Sequence, residues 1–320
     1  MTTHITMRVG LTLALALCGA AVGATDFPVR PITIIVPYPP GGTADILPRM
    51  IAERLPDVLK VPVIVQNKPG ASGTLGADLV SRAAPDGYTL LGVPPHFFVS
   101  DLLYKISFDP KAFEPVGIIA SYPNVLLANS NLPVANVKDL IALTSSGKKT
   151  LNMASAGAGT SQHLSAELLR IKAKVDYTHV PYKGTAPALS DLMGGHVDAM
   201  FDNLITALPY VQSGKVKLLG VGSARRNPAF PDTPAISEVV PGYESVTWMG
   251  LVAPPATPGA VVDRLSQAVA QVLKDPKLRA QIEAMQAAPA DGTRSDMQKQ
   301  VKEDTARWSD VIRTARIVAE

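Results

Sequence analysis

Short β-branched apolar runs alternate with segments of helical spacing over the first two thirds of the chain. The runs fall at 32–36, 63–66, 89–93, 116–120, 125–129, 152–154, 176–179, 199–201 and 216–221. Between them, apolar residues recur three and four positions apart at Leu75, Leu79, Val80 and Ala83, at Leu164, Leu168 and Ile171, and at Leu189, Leu192 and Met193, the spacing of one helix face. Such alternation predicts a parallel, doubly wound α/β architecture, whose ligands sit at the carboxyl ends of the strands. After Pro254 only helical patterns remain: Thr257 caps a run with Val261, Val262, Leu265 and Val269, Pro276 opens a second helix, and Met297, Val301 and Trp308 lie on a third.

Punctuation sharpens these elements. Thr185 with Pro187 reads as an N-cap followed by an early-helix proline, and Gly194-Gly195 ends that helix, as glycine does where a helix must stop. Pro85-Asp86-Gly87 is a turn into the strand at 89–93.

The N-terminal pattern changes the boundaries. Residues 1–8 carry one positive charge, 9–18 form a short apolar run, and the small residues at 20–24 supply a cleavage site, placed after Ala24. Residues 1–24 are therefore expected to be a signal peptide and the mature chain to be exported. Leu17 stands before Cys18 where a lipoprotein signal has a small residue, and without Cys18 the mature chain has no cysteine. Disulfides, thiol catalysis and thiolate metal sites are then excluded.

Removing 24 of 320 residues leaves 296, more than one small core organises, so two lobes are expected. The helices after Pro254 are expected to pack back on the first of them. Loss of Arg8 takes the formal charge from +3 to +2, and basic residues are interspersed with acidic ones, which does not suit a nucleic-acid partner. With 28 Pro, 24 Gly and 47% hydrophobic residues, the chain reads as compact and loop-punctuated, not disordered. His4, His96, His163, His179 and His196 show no metal-ligand spacing, so no metal is expected.

Two glycine-rich loops carry the candidate chemistry. The first, Pro39-Pro40-Gly41-Gly42-Thr43-Ala44-Asp45, follows a strand and opens a helix. Pro48 places Asp45 as the N-cap, because proline costs little only within the first turn. Asp45 would then satisfy its own helix's N–H groups, leaving those of Gly41 to Ala44 for an anion at the positive helix end. An ordinary strand-to-helix turn is the alternative. The second loop, Ser155-Ala156-Gly157-Ala158-Gly159-Thr160-Ser161, has the same setting, with hydroxyls that donate to an anion or cap the helix. It lacks the Gly-Lys-Ser/Thr ending of a nucleotide site, and no nucleotide or other cofactor is expected. As a pair, one per lobe, the loops would grip a small acid from both sides.

The ordered segments PYPPGGTADILPR, NKPGASGTLGADLV, APDGYTLL, ASAGAGTSQHL, HVPYKGTAPALSDLMGGHVDAMFDN and PGYESVTWMGLVAPPATP closely resemble the periplasmic solute-binding proteins of tripartite tricarboxylate transporters, the Bug receptors. The resemblance spans essentially the whole mature chain. It implies a two-lobed, type II periplasmic-binding-protein fold, each lobe a mostly parallel sheet flanked by helices, closing on a small carboxylate. Lobe one is expected at 25–122 plus 224–320 and lobe two at 123–223, with crossings near 121–125 and 223–248. By resemblance, the ligand residues are Tyr38, Pro40, Gly41, Gly42, Thr43 and Asp45 in lobe one, and Ser155, Gly157, Gly159, Thr160 and Ser161 in lobe two, joined by Tyr182, Lys183 and Asp202. The last three also have structural readings: a packed strand end, a solvated loop lysine and a helix cap with Asn203.

Two departures from the family pattern bear on specificity. Pro48 stands where a small residue is usual, and Pro94-Pro95-His96-Phe97-Phe98 replaces a smaller, more polar stretch. His96 joins the candidate ligand residues, and Phe97 or Phe98 either stacks on an aromatic acid or packs the core. The chain reads as a monomeric receptor, not an enzyme: no Gly-x-Ser-x-Gly elbow and no His-Glu-x-x-His motif occurs. Its expected partners are a small organic acid and membrane transporter subunits. The rivals are a periplasmic sensor presenting the metabolite to a signalling kinase, and a hydrolase or lyase.

Overall fold

The computed structural model of the chain describes residues 27–145, 147 and 150–318. The signal peptide expected at 1–24 lies outside them. In chain order the elements are β1 (Ile32–Val36), α1 (Thr43–Ala52), α2 (Leu55–Leu59), β2 (Val63–Asn67), α3 (Thr74–Ser81), β3 (Thr89–Val93), β4 (Glu114–Asn129), α4 (Val137–Ser145), β5 (Leu151–Ser155) and α5 (Ser161–Ala173). There follow β6 (Tyr177–Pro181), α6 (Thr185–Gly194), β7 (Ala199–Asn203), α7 (Leu204–Gln212), β8 (Val216–Val221), β9 (Val246–Ala253), α8 (Gly259–Val272), α9 (Pro276–Ala284), β10 (Ala288–Pro289) and α10 (Arg294–Ala315).

The fold is a two-lobed α/β fold. Its strands run β2-β1-β3-β9-β4-β7-β5-β6, with β8 and β10 also paired to β4. The outer strands are parallel, β1 with β2 and β3, and β5 with β6 and β7. At the centre, β9 and β4 are antiparallel to their neighbours. The runs read separately at 116–120 and 125–129 are one strand, β4. Its first part pairs with β9 and its last part with β7 and β8. A proline inside the run, Pro123, does not break it, because the strand changes partners there: Pro123 sits opposite Val246 at the start of β9, and Asn124 begins the pairing with β7. The Asn124 N–H donates to Ser245 O, and the Gly222 N–H to Asn124 O, so both other crossings are tied to the same point.

Two of the helical expectations are corrected. The helices after Pro254 do not pack only on the first lobe. In α10, Met297 joins the first-lobe core with Trp248, while Trp308, Val311 and Ile312 join the second-lobe core with Leu164 and Leu168, because a 22-residue helix is long enough to span about 33 Å. In α3, Ala77 and Val80 are buried whereas Leu75 is 61% and Leu79 44% exposed; the seating face is set by Gly76, whose Cα leaves 2.8 Å for a Cβ against Lys68 O and Pro37.

Candidate functional site

The first loop is shaped by Gly41, at φ +87°, and α1 starts at Thr43 with Gly42 as N-cap. Asp45 is therefore not the N-cap; it is the third helical residue and reaches backward. Its Oδ2 accepts the Gly41 N–H at 3.0 Å, while Oδ1 accepts from Arg49 Nε at 2.9 Å and Asn67 Nδ2 at 2.8 Å, the geometry of an acid capping from inside the first turn. Burial works to raise the Asp45 carboxyl, but Arg49, Asn67 and the Gly41 N–H together hold it below its ordinary value. Pro48 sits inside the helix, packed at 3.4 Å from where a Gly92 Cβ would lie, so burial overrides its preference for the first turn. The consequence is specific: Gly41 N–H is occupied, and the N–H groups of Gly42, Thr43 and Ala44 keep no protein acceptor among the described residues.

The second loop is braced mainly by its own side chains. Ser155 Oγ accepts the Gly157 N–H at 3.2 Å and lies 2.7 Å from His179 Nε2. Thr160 Oγ1 donates to Gly157 O at 2.8 Å, and Gly159 N–H donates to His163 Nδ1 at 3.0 Å. Ser161 Oγ donates to Gln162 Oε1. These hydroxyls hold the loop. The N–H groups left open are those of Ser161, Gln162 and His163 in the first turn of α5, because the first bond back to Thr160 O comes from Leu164.

The two loops meet elements of the opposite lobe. Ser72 Oγ and Tyr104 OH converge on the Ala158 carbonyl, at 3.2 and 2.6 Å. A Cβ on Gly159 would stand 2.4 Å from Leu103 Cδ1, and one on Gly184 3.5 Å from Pro39 Cγ. Beside this seam lies a cavity lined by Tyr38, Ser72, His96, Phe97, Tyr104 and Gly159, among others. None of its lining side chains is a lysine, arginine, aspartate or glutamate. Gly159 lines it; Gly41 and Gly42 do not.

The remaining sequence-derived residues divide. Tyr38 OH bonds His96 Nε2 at 2.9 Å, and burial pulls His96 down to about 4, so its ring is neutral near pH 7. His96 Nδ1, Thr43 Oγ1 and Asn203 Oδ1 are buried with no partner among the described residues. Phe98 is core, against Trp248, and Phe97 lies between Phe98, Phe108 and Phe113 with one edge on the cavity. Asp202, at the end of β7, is fully buried and accepts from Thr206 Oγ1 at 2.8 Å and, more distantly, from Gln162 and Thr185 at 3.4 Å. Burial pushes it up to about 6. Thr185 is thus not the N-cap of α6; Gly184 is, at φ +117°, and Thr185 turns toward Asp202. Pro40 and Lys183 are exposed, and Tyr182 donates its hydroxyl to Asp191 of its own lobe at 2.6 Å. Among the described residues no cluster of three metal-ligating side chains occurs, and no helix is long and apolar enough to cross a membrane.

Sequence reasoning missed Ser72 and Tyr104, which meet the Ala158 carbonyl of the second loop. Ser72 lies in a Gly-Ala-Ser-Gly turn at φ +50°, and that glycine spacing was its available signal. Tyr104 had none.

The family described as the tripartite tricarboxylate transporter family receptor matches residues 47–317. The chain is 31% identical to Protein BugT of Bordetella pertussis over 319 residues, covering 97% of each chain. Among solved structures it resembles Rpa4515 of R. palustris with adipate (36% identity, TM-score 0.87, covering 92% of this chain and 100% of that one). It also resembles MatC of Rhodopseudomonas palustris with bound malate (35% identity, TM-score 0.83, covering 89% and 100%).

Proposed function

The chain belongs to the tripartite tricarboxylate transporter receptor family, and from that membership we propose that it captures a small organic carboxylate between its lobes in the periplasm and presents it to membrane transporter subunits. It is a binding protein and not an enzyme. The observation that carries the ligand class is the set of unpartnered first-turn N–H groups at both glycine loops, Gly42 to Ala44 and Ser161 to His163. Such groups, at the positive ends of helices, hold a carboxylate without a cationic side chain, and the small cavity at the Tyr38–Tyr104 seam is lined by no such cation. The buried orphan atoms Thr43 Oγ1, His96 Nδ1 and Asn203 Oδ1 are then the polar groups a ligand satisfies. Glycines 41, 157 and 159 and the side chains of Asp45, Ser155, Thr160 and Ser161 shape the loops, while Tyr38 orients His96.

The lobes are assigned as 25–122 with 224–320 and as 123–223, acting in a monomer. Contacts such as Tyr104 to Ala158 exist only when the lobes approach, so a ligand that bridges them shifts the population toward closure. Adipate and malate, held by the two structural neighbours, set the first ligands to try. Thermal-shift and calorimetric titration of the mature chain against these, citrate, aspartate and benzoate tests the reading. A ligand at one hundred times its Kd is expected to stabilise by about 2.7 kcal/mol and to be recovered unchanged. Absence of stabilisation by every acid, or chemical conversion of one, refutes it.

A further inference from the structure

The second glycine loop is held by two histidines that lie behind it. His163, on α5, and His179, on β6, stack with ring centroids 3.8 Å apart and planes 6° from parallel. His163 Nδ1 accepts the Gly159 N–H, and His179 Nε2 touches Ser155 Oγ, which in turn takes the Gly157 N–H. A backbone N–H can only donate, so Nδ1 of His163 carries no proton and its Nε2 carries one. That Nε2 faces Glu167 Oε1 at 3.6 Å. Glu167 is itself fixed by Tyr177 from β6 at 2.7 Å and by Arg170 on its own helix.

We propose that His163 and His179 are positioning residues for ligand capture: they fix the loop from Ser155 to Thr160 so that the Ala158 carbonyl meets Ser72 and Tyr104 of the opposite lobe. The ligand arm rests on the receptor reading above; the loop assignment does not. A proton on His163 Nδ1 would set two donors, ring N–H and Gly159 N–H, against each other, and the bond would be lost. Two imidazolium rings at stacking distance repel, so the two rings do not carry charge together. Burial, followed by the adjacent His163, pulls His179 down to about 4, in keeping with this. The other charged groups near the pair are Glu167 and Arg170 of α5; Asp202 of β7 bonds Thr206, Thr185 and Gln162 and neither histidine, and Tyr104 is a neutral phenol held above its ordinary value by burial.

The experiment combines imidazole and amide NMR of the mature chain with titration of malate and adipate, between pH 7.5 and 4.5, on the native protein, His163→Asn and His163→Phe. Asparagine keeps an acceptor where Nδ1 stood but takes no proton. At pH 7.5 the native His163 is expected to be protonated on Nε2 only, and the Gly159 amide to shift in step with ring protonation as pH falls. Affinity is expected to drop on the order of fivefold to tenfold over that step, the effect of one hydrogen bond. In His163→Asn this pH step disappears, apart from the ligand's own titration. His163→Phe binds that much more weakly at every pH. A structural role alone would move the melting temperature of both variants without erasing the pH step in one. A His163 ring protonated on Nδ1 at pH 7.5, or a Gly159 amide indifferent to the ring, overturns the assignment. If neither acid binds while the Gly159 amide still follows the ring, the ligand reading fails and the loop assignment stands.

Discussion

Replacing Tyr104 by phenylalanine removes one oxygen from the seam between the lobes and leaves the ring in place. Tyr104 OH is 2.6 Å from Ala158 O and 2.8 Å from Ser72 Oγ, so the change deletes the shorter of the two bonds to that carbonyl. A net hydrogen bond of this kind contributes about 1 kcal/mol, roughly a fivefold change in the closure equilibrium. Ser72 Oγ, at 3.2 Å, still reaches the carbonyl, so the single variant stops there. Tyr104→Phe with Ser72→Ala leaves Ala158 O unpaired at a closed seam, which costs about 1 to 3 kcal/mol, or roughly fivefold to 150-fold. Where the ligand binds only the closed form, apparent Kd rises by up to the factor that closure loses, in full when the closed form is the minor state of the free protein. Calorimetric titration reads the affinity, and small-angle X-ray scattering of the ligand-free protein reads compactness, with both variants expected to be more open. Wild-type affinity and wild-type compactness in the double variant would refute the claim that this seam governs closure.

Three further changes test other parts of the structure. Asp202 is raised by burial to about 6, so between about pH 4 and 6 the folded chain keeps a proton that the unfolded chain has lost, and stability falls as pH rises through that window. Asp202→Asn should remove this slope and gain roughly 2 to 3 kcal/mol above pH 6, read by urea unfolding at pH 4.5, 6 and 7.5; an unchanged slope contradicts it. Gly159→Ala places a Cβ at φ +71°, 2.4 Å from Leu103 Cδ1, so a loss of about 1 to 2 kcal/mol in stability should come with weaker binding, and Leu103→Ala should restore part of the binding but none of the stability. Leu75→Glu and Leu79→Glu, on the exposed face of α3, should each change stability by less than about 0.5 kcal/mol in thermal unfolding.

Most of the fold was legible because its outer strands are short apolar runs between helices of regular spacing, and those local patterns survive in the structure. The centre was not. The reading at 116–120 and 125–129 broke at Pro123, since proline normally ends a strand; only the switch of partners, from β9 to β7 and β8, permits it to continue. The strand β9 was passed over because its run, VTWMGLVA, gives the same apolar signal as a buried helix, which periodicity alone does not separate from a buried strand. The exposure of Leu75 and Leu79 has a similar cause. Periodicity names a helix but not its seated face when glycine, here Gly76 against Pro37, decides the close approach.

At the site, composition marked the loops but could not assign their donors and acceptors. Every N–H of Gly41 to Ala44 looked alike in sequence; the difference arises because Asp45 turns back and consumes Gly41's. Likewise Ser155 and Thr160 looked like ligand hydroxyls, yet each is spent on Gly157, and His163 supplies the acceptor for the Gly159 N–H of the same loop. A loop that must present free amides cannot leave its own conformation to chance, since each unpaired N–H removes a bond that would otherwise fix the backbone. Side chains behind the loop must replace those bonds. The serine, threonine and histidine around Gly157 and Gly159 are therefore the cost of keeping the amides of Ser161 to His163 open, and affinity in such a site depends on residues that need not touch the ligand.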